Sequence, residues 1–216
     1  MEIIQQLFQY VIHIDTYLVA FVATYGIWTY VALFAIIFCE TGLVVTPFLP
    51  GDSLLFAAGS IAAQPGSGIN IQLLFLLLCL AAILGNKVNY TIGRVVGPRI
   101  FTAKSSWLLN RRHLEEAHKF YETHGGKTIV FARFIPIIRT FVPFVAGIAA
   151  MSLRSFTLYN MISGILWTGS LLAAGYFFGS LPIIKDNFTI VIYSIIGISL
   201  LPALFAAISQ RKSVNS

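Results

Sequence analysis

Two carboxylates and two guanidiniums stand in stretches that otherwise have the character of membrane helix. Glu40 and Asp52 lie in FCETGLVVTPFLPGDSLLFAAGS (38–60), and Arg133 and Arg139 in FARFIPIIRTFVPFVAG (131–147). Two arginines close together make a fork for an oxyanion, above all a phosphate, because each guanidinium presents a planar set of N–H donors. Helix N-termini at the same place would add to that positive field. Two carboxylates withdrawn from water are natural proton carriers. Together these groups suit a transporter in which a substrate site and a coupling site are neighbours. The apolar surroundings let a ligand enter sideways from lipid, which fits a lipid phosphate better than free phosphate. Plainer readings stand beside this one. Glu40 could end an apolar span at the interface, Asp52 could only cap a helix, and the arginines could pair with the acids as structural glue.

The elements that must position these residues follow from composition. The chain has 216 residues, 57% hydrophobic and 10% charged, with a mean hydropathy of +0.84. Soluble domains are about 25% charged, so an all-α integral membrane protein is expected. No Asp, Glu, Lys or Arg occurs in 16–39, 53–86, 155–184 or 187–210, and each run exceeds the roughly 20 residues that cross a bilayer as helix. A β-barrel would show short alternating segments instead. Four spans are expected, over 18–39, 71–92, 156–178 and 188–209.

Two further apolar pieces, 42–63 and 128–151, are interrupted. Pro47, Pro50 and Gly51 break the first beside Asp52, and Pro136 and Pro143 break the second beside Arg133 and Arg139. Proline within a helix costs about 3 kcal/mol, and arginine at mid-bilayer at least about 2.5 kcal/mol. Broken, charged backbone survives at membrane depth only when protein or a wet cavity shields it. Both pieces are therefore expected to be re-entrant hairpins. This topology puts the basic stretch 94–127 on the side of Arg154 and the Arg211-Lys212 tail, as the positive-inside rule requires. The chain then forms one membrane domain over 1–216 with both termini cytoplasmic. Residues 1–17, which lack the basic start of a signal peptide, would lie at the interface. The 94–127 loop would carry an interfacial helix over 111–124, capped by Asn110.

The two halves echo each other. TPFLPGDSLLFAAGSIAA (46–63) resembles TFVPFVAGIAA (140–150), and Tyr90-x-x-Gly93 resembles Tyr176-x-x-Gly179. Opposed hairpins would make an inverted repeat, a form common in secondary transporters, whose substrates bind near mid-membrane at broken helices.

Other classes fare worse. The net charge of +6 is clustered at one membrane face rather than spread as a nucleic-acid surface, so no nucleic acid is expected. Cys39 and Cys79 are expected to be small buried residues. His113, His118 and His124 do not share one helical turn, so no metal site is expected. An enzyme such as a lipid phosphatase needs a nucleophile or base at the phosphate. The histidines, His13 included, are peripheral, and no G-x-S-x-G motif or histidine-acid zinc motif is present.

The segments FCETGLVVTPFLPGDSLLFAAG, NYTIGRVVG and FARFIPIIRTFVPFVAG resemble the signature segments of the bacterial DedA family, whose wider relatives include SNARE-associated membrane proteins. The similarity runs from about residue 14 to 209. It implies a multi-pass protein of the bacterial inner membrane with two facing re-entrant hairpins. It further implies lipid flipping, notably of undecaprenyl phosphate, and dependence on a proton or sodium gradient without any cofactor. The family's functional acids match Glu40 and Asp52, and its functional arginines Arg133 and Arg139. Lys87, in GNKVNY, departs from some relatives and puts the local charge balance in doubt. The expected function is a lipid-phosphate translocase acting on undecaprenyl phosphate or another anionic phospholipid, driven by the proton-motive force. The alternative is a proton-coupled exporter of ions or small cations built on the same acids. Assembly as a homo-oligomer is compatible with either.

Overall fold

The computed structural model describes residues 25–43, 51–102 and 126–179, with single positions between 181 and 197. The expected interfacial segment 1–17, the breaks at Pro47 and Pro50, the helix over 111–124 with its histidines, and most of the fourth span lie outside the described residues.

Six helices are present among the described residues: α1 (Ile27–Gly42), α2 (Gly51–Ala62), α3 (Ile71–Thr102), α4 (Lys127–Ala132), α5 (Pro136–Ile148) and α6 (Leu153–Phe178). Two are long and apolar enough to cross a membrane: 71–96 within α3, at a mean hydropathy of 2.1, and α6, at 1.4. Helix α3 does not stop near Ile92, where the apolar run thins, but continues to Thr102. A helix can leave the hydrocarbon without ending, because Arg94 and the residues beyond it still satisfy their own backbone. By contrast α2 has 12 residues and α5 has 13. At 1.5 Å per residue they are about 18 and 20 Å long, short of the roughly 30 Å hydrocarbon core.

Local chemistry sets the ends. Asn70 Oδ1 accepts from the backbone N–H groups of Gln72 and Leu73, both at 3.0 Å, and so caps α3. The Asn70 N–H in turn donates to the Tyr30 hydroxyl at 2.7 Å, which ties this turn to α1. Ser152 caps α6 by accepting from the Ser155 N–H. Between α4 and α5 the chain opens at Ile135, which is extended, as a residue before proline must be. Pro136 then starts α5, where its missing N–H costs nothing. Pro143 sits inside α5 and cannot donate to the carbonyl of Arg139 one turn earlier. Helix α5 ends in a Schellman motif: the Met151 N–H reaches Ala146 O and the Ala150 N–H reaches Gly147 O, with Ala150 at φ 54°.

Each short helix packs on the long helix of the other half. The main partner of α2 is α6, and that of α5 is α3, while α1 lies against α3. Glycines make these crossings possible. A Cβ at Gly59 would strike the backbone at Leu172 and Tyr176, and one at Gly175 would strike Phe56 and Ser60. In the other pair, a Cβ at Gly147 would strike Tyr90 and Arg94, and one at Gly93 would strike Phe144. The two contacts are counterparts, with Gly59 matching Gly147 and Gly93 matching Gly175. The sequence pairing of Gly93 with Gly179 is thus displaced by one helical turn. Sequence similarity follows letters, whereas the packing requires a glycine at the point of closest approach, and on α6 that is Gly175.

Leu33, Ile37, Leu55, Leu74, Leu78 and Leu172 fill the main core, whereas Leu76, Leu80, Leu166 and Phe177 face outward. So broad an apolar exterior suits lipid rather than water.

Gly59→Ala and Gly147→Ala should each cost about 1–3 kcal/mol, because backbone must move to admit the methyl. Gly197→Ala, which meets nothing, should stay within about 0.5 kcal/mol of the parent. Thermal unfolding in detergent micelles distinguishes the three, and three equal melting temperatures would contradict the crossed packing.

Candidate functional site

The N-terminal turns of α2 and α5 meet, and the charged residues meet with them. Asp52 lies in the first turn of α2, Arg139 is the fourth residue of α5, and Glu40 lies in the last turn of α1. Arg139 bridges both acids: its Nη1 donates to Asp52 Oδ1 and its Nη2 to Glu40 Oε1. Side-chain exposure is 8% for Arg139, 1% for Glu40 and 14% for Asp52. Glu40 is therefore enclosed by protein. A Cβ at Gly51 would run into its carboxylate, so glycine at the start of α2 is what lets Glu40 reach this place.

Arg133 behaves differently. It follows α4 directly and is 3% exposed. Its Nη1 donates to Asn160 Oδ1 at 3.1 Å and to Ser163 Oγ at 3.3 Å, both on α6. Its Nη2 is buried without a hydrogen-bond partner. Among the described residues no carboxylate lies within ion-pair distance of it. The expectation of two arginines gluing two acids thus divides unequally, with Arg139 paired to both and Arg133 to neither.

Around the charges lies a layer of neutral polar groups that charge and motif alone did not point to. Asn160 Oδ1 accepts from Asn86 as well as from Arg133, and its Nδ2 donates to Ile83 O at 2.9 Å. Asn89 Nδ2 donates to Thr140 O at 2.8 Å and Thr41 O at 3.3 Å, which joins α3 to α5 and α1. Trp167, near the midpoint of α6, donates its indole N–H to Asp52 Oδ1 at 2.9 Å. The usable signal was asparagine within apolar runs, since an amide in a membrane helix needs a partner. Lys87, beside Asn86, is on the exposed face of α3 and stands outside the cluster.

A small cavity adjoins the ion pair, lined by Glu40, Thr41, Asn86, Arg133, Arg139, Thr140 and Pro143 among others. It has room for about one water molecule. Pro136 and Gly51 begin the two short helices, and Pro143 forms part of the cavity wall. Chemically the site holds two positive and two negative groups in a nearly enclosed space, with Arg133 Nη2, Arg139 Nε and Glu40 Oε2 buried without hydrogen-bond partners.

The family model described as VTT domain matches residues 49–177. Protein DedA of Escherichia coli strain K12 is 49% identical over 213 residues, covering 99% of this chain and 97% of the relative. An uncharacterized membrane protein of Mycobacterium tuberculosis strain H37Rv is 42% identical over 172 residues, 80% of this chain and 75% of the relative. Inner membrane protein YqjA of Escherichia coli strain K12 is 36% identical over 156 residues, 71% of this chain and 69% of the relative. No solved structure matches.

Removing the bridging cation leaves two buried carboxylates facing each other. Arg139→Gln should destabilise by about 3–5 kcal/mol. Adding Glu40→Gln and Asp52→Asn should restore most of that loss, since the buried charges go with it. Denaturant unfolding in micelles measures both, and an Arg139→Gln protein as stable as its parent would rule out the bridge.

Proposed function

The chain belongs to the VTT-domain (DedA) family of membrane proteins, and from that premise we propose that it is a lipid-phosphate translocase of a bacterial inner membrane, not an enzyme. In this reading it returns undecaprenyl phosphate, or another anionic phospholipid, from the outer to the inner leaflet, coupled to the proton-motive force. The fold is four membrane spans and two opposed re-entrant hairpins, 42–63 and 128–151, in an inverted repeat, with both termini cytoplasmic. The shortness of α2 and α5, and their meeting at charged N-terminal turns, supports the hairpins.

The observation behind the substrate class is Arg133: a buried guanidinium with no carboxylate partner among the described residues, an unpaired Nη2, and a place in the wall of a cavity that Arg139 also lines. The unpaired Nη2 suits a phosphate oxygen. The two Nη groups of Arg139 are engaged with Glu40 and Asp52, so an anion reaches those donors by competing with the acids. Proton uptake on either acid removes that competitor's charge and frees part of the fork. Proton and anion binding are then thermodynamically linked, each favouring the other. The linkage has a physical use. An uncompensated anion moving inward opposes a negative-inside potential by about 2.3 kcal/mol per unit charge per 100 mV, and accompanying protons offset this. The cavity is too small for a headgroup while the ion pair is closed, so translocation includes its opening.

The test is headgroup uptake by vesicles containing the purified protein. The Arg133→Ala, Arg139→Ala double variant should lose roughly a hundredfold or more in rate, the order expected when two charged contacts to the moving group are removed. Equal rates for parent and variant would defeat the assignment. Robust cation exchange without lipid movement would instead favour the exporter reading.

A further inference from the structure

One aromatic ring touches three of the four charges. The indole N–H of Trp167 donates to Asp52. The guanidinium carbons of Arg133 and Arg139 lie 5.1 and 5.0 Å from the ring centroid, within cation–π range. Trp167 is 2% exposed and belongs to the same core as Leu55, Leu74 and Leu78. The ring is therefore held by packing on its apolar side and by the charges on its polar side.

That placement meets two electrostatic needs at once. Two guanidiniums brought to one buried place repel each other, and the negative ring face attracts both. Arg133 has no ion pair among the described residues, and the ring and the neutral Asn160–Ser163 pair hold it in position. Asp52 is faced by Arg139 from α5 and by the indole from α6, with Glu40 of α1 on the other branch of the Arg139 bridge. The indole is both bonded to the acid and stacked on the cations. A leucine would fill the volume but offer neither donor nor π-face, and a phenylalanine would keep the face alone.

We propose that Trp167 is the positioning residue of the site: it holds the Arg133–Arg139 pair together and joins the state of the Asp52 carboxylate to the placement of both guanidiniums. The inference rests on the coupled-translocase reading of the site and deepens it. A proton arriving on Asp52 weakens both the Arg139 bridge and the indole hydrogen bond, so the ring and both cations rearrange together.

Two measurements on the full-length protein test this. First, Trp28→Phe and Trp107→Phe leave Trp167 as the sole indole, and its emission is followed against pH with the protein in phospholipid nanodiscs. A sigmoidal change is expected, abolished by Asp52→Asn. Emission that is flat, or unaffected by Asp52→Asn, overturns the proposal.

Second, headgroup uptake is measured in vesicles for two replacements. Trp167→Phe should slow uptake about tenfold and change the shape of its pH profile, because the hydrogen bond to Asp52 is lost. Trp167→Leu should slow it about a hundredfold, because both interactions are lost. Equal losses in the two variants with an unchanged pH profile mean a packing role only, and overturn the proposal. If the parent protein moves no lipid, the translocase reading fails, while the emission measurement still decides the role of Trp167.

Discussion

A single buried guanidinium with a carboxylate on each side organises this molecule. Arg139 is bonded to Glu40 and Asp52, and through them α5 is joined to α1 and α2. Taking such groups out of water costs several kcal/mol for each ion, and the cost is recovered only with close geometry and further hydrogen bonds. The rest of the structure supplies that geometry. Gly51 admits Glu40, the indole of Trp167 donates a hydrogen bond to Asp52, and the start of α5 at Pro136 sets where the guanidinium emerges.

The crossed packing follows from the same constraint. Asp52 and Arg139 meet only if the two short helices point their first turns at each other. The long helices must then reach across, α6 against α2 and α3 against α5. Helices approach this closely only where side chains are absent, and the glycine pairs occupy those points. The lateral position of the site is thus set by backbone contact, which is stiff, and its interior by an ion pair, which protonation or a competing anion can open. That division suits a protein whose centre changes state while its frame persists.

Arg133 and Arg139 sit in one motif yet do unlike things. Six residues apart, Arg133 caps the end of α4 while Arg139 lies in α5, because Pro136 restarts the helix between them. Arg139 is neutralised by acids; Arg133 lies among amides, a hydroxyl and an aromatic face, and keeps an open edge. A cation held by dipoles retains its capacity for an anion, and the proposed substrate site grows from that asymmetry.

Much of this is legible in the order of the residues. Apolar run length announces membrane helices, and Pro136 and Gly51 mark where short helices start, whereas Pro143, expected as a break, lies inside the continuous α5. The four charged residues identify themselves, since ionised groups in apolar sequence need a reason to be there. Trp167 and the asparagines do not, because an indole or amide in an apolar run is ambiguous until its neighbours are known. Nor can the sequence assign partners: Arg139 lies 87 residues from Asp52 and 99 from Glu40. The repeat is visible, but its register on α6 is one turn off, because resemblance between halves does not say where two backbones touch. Residue types and spacing determined that this is a helical membrane protein with broken, charged segments. Tertiary structure alone decided which charges neutralise each other, which stays open, and which ring stands between them, because these depend on helices packing across the chain.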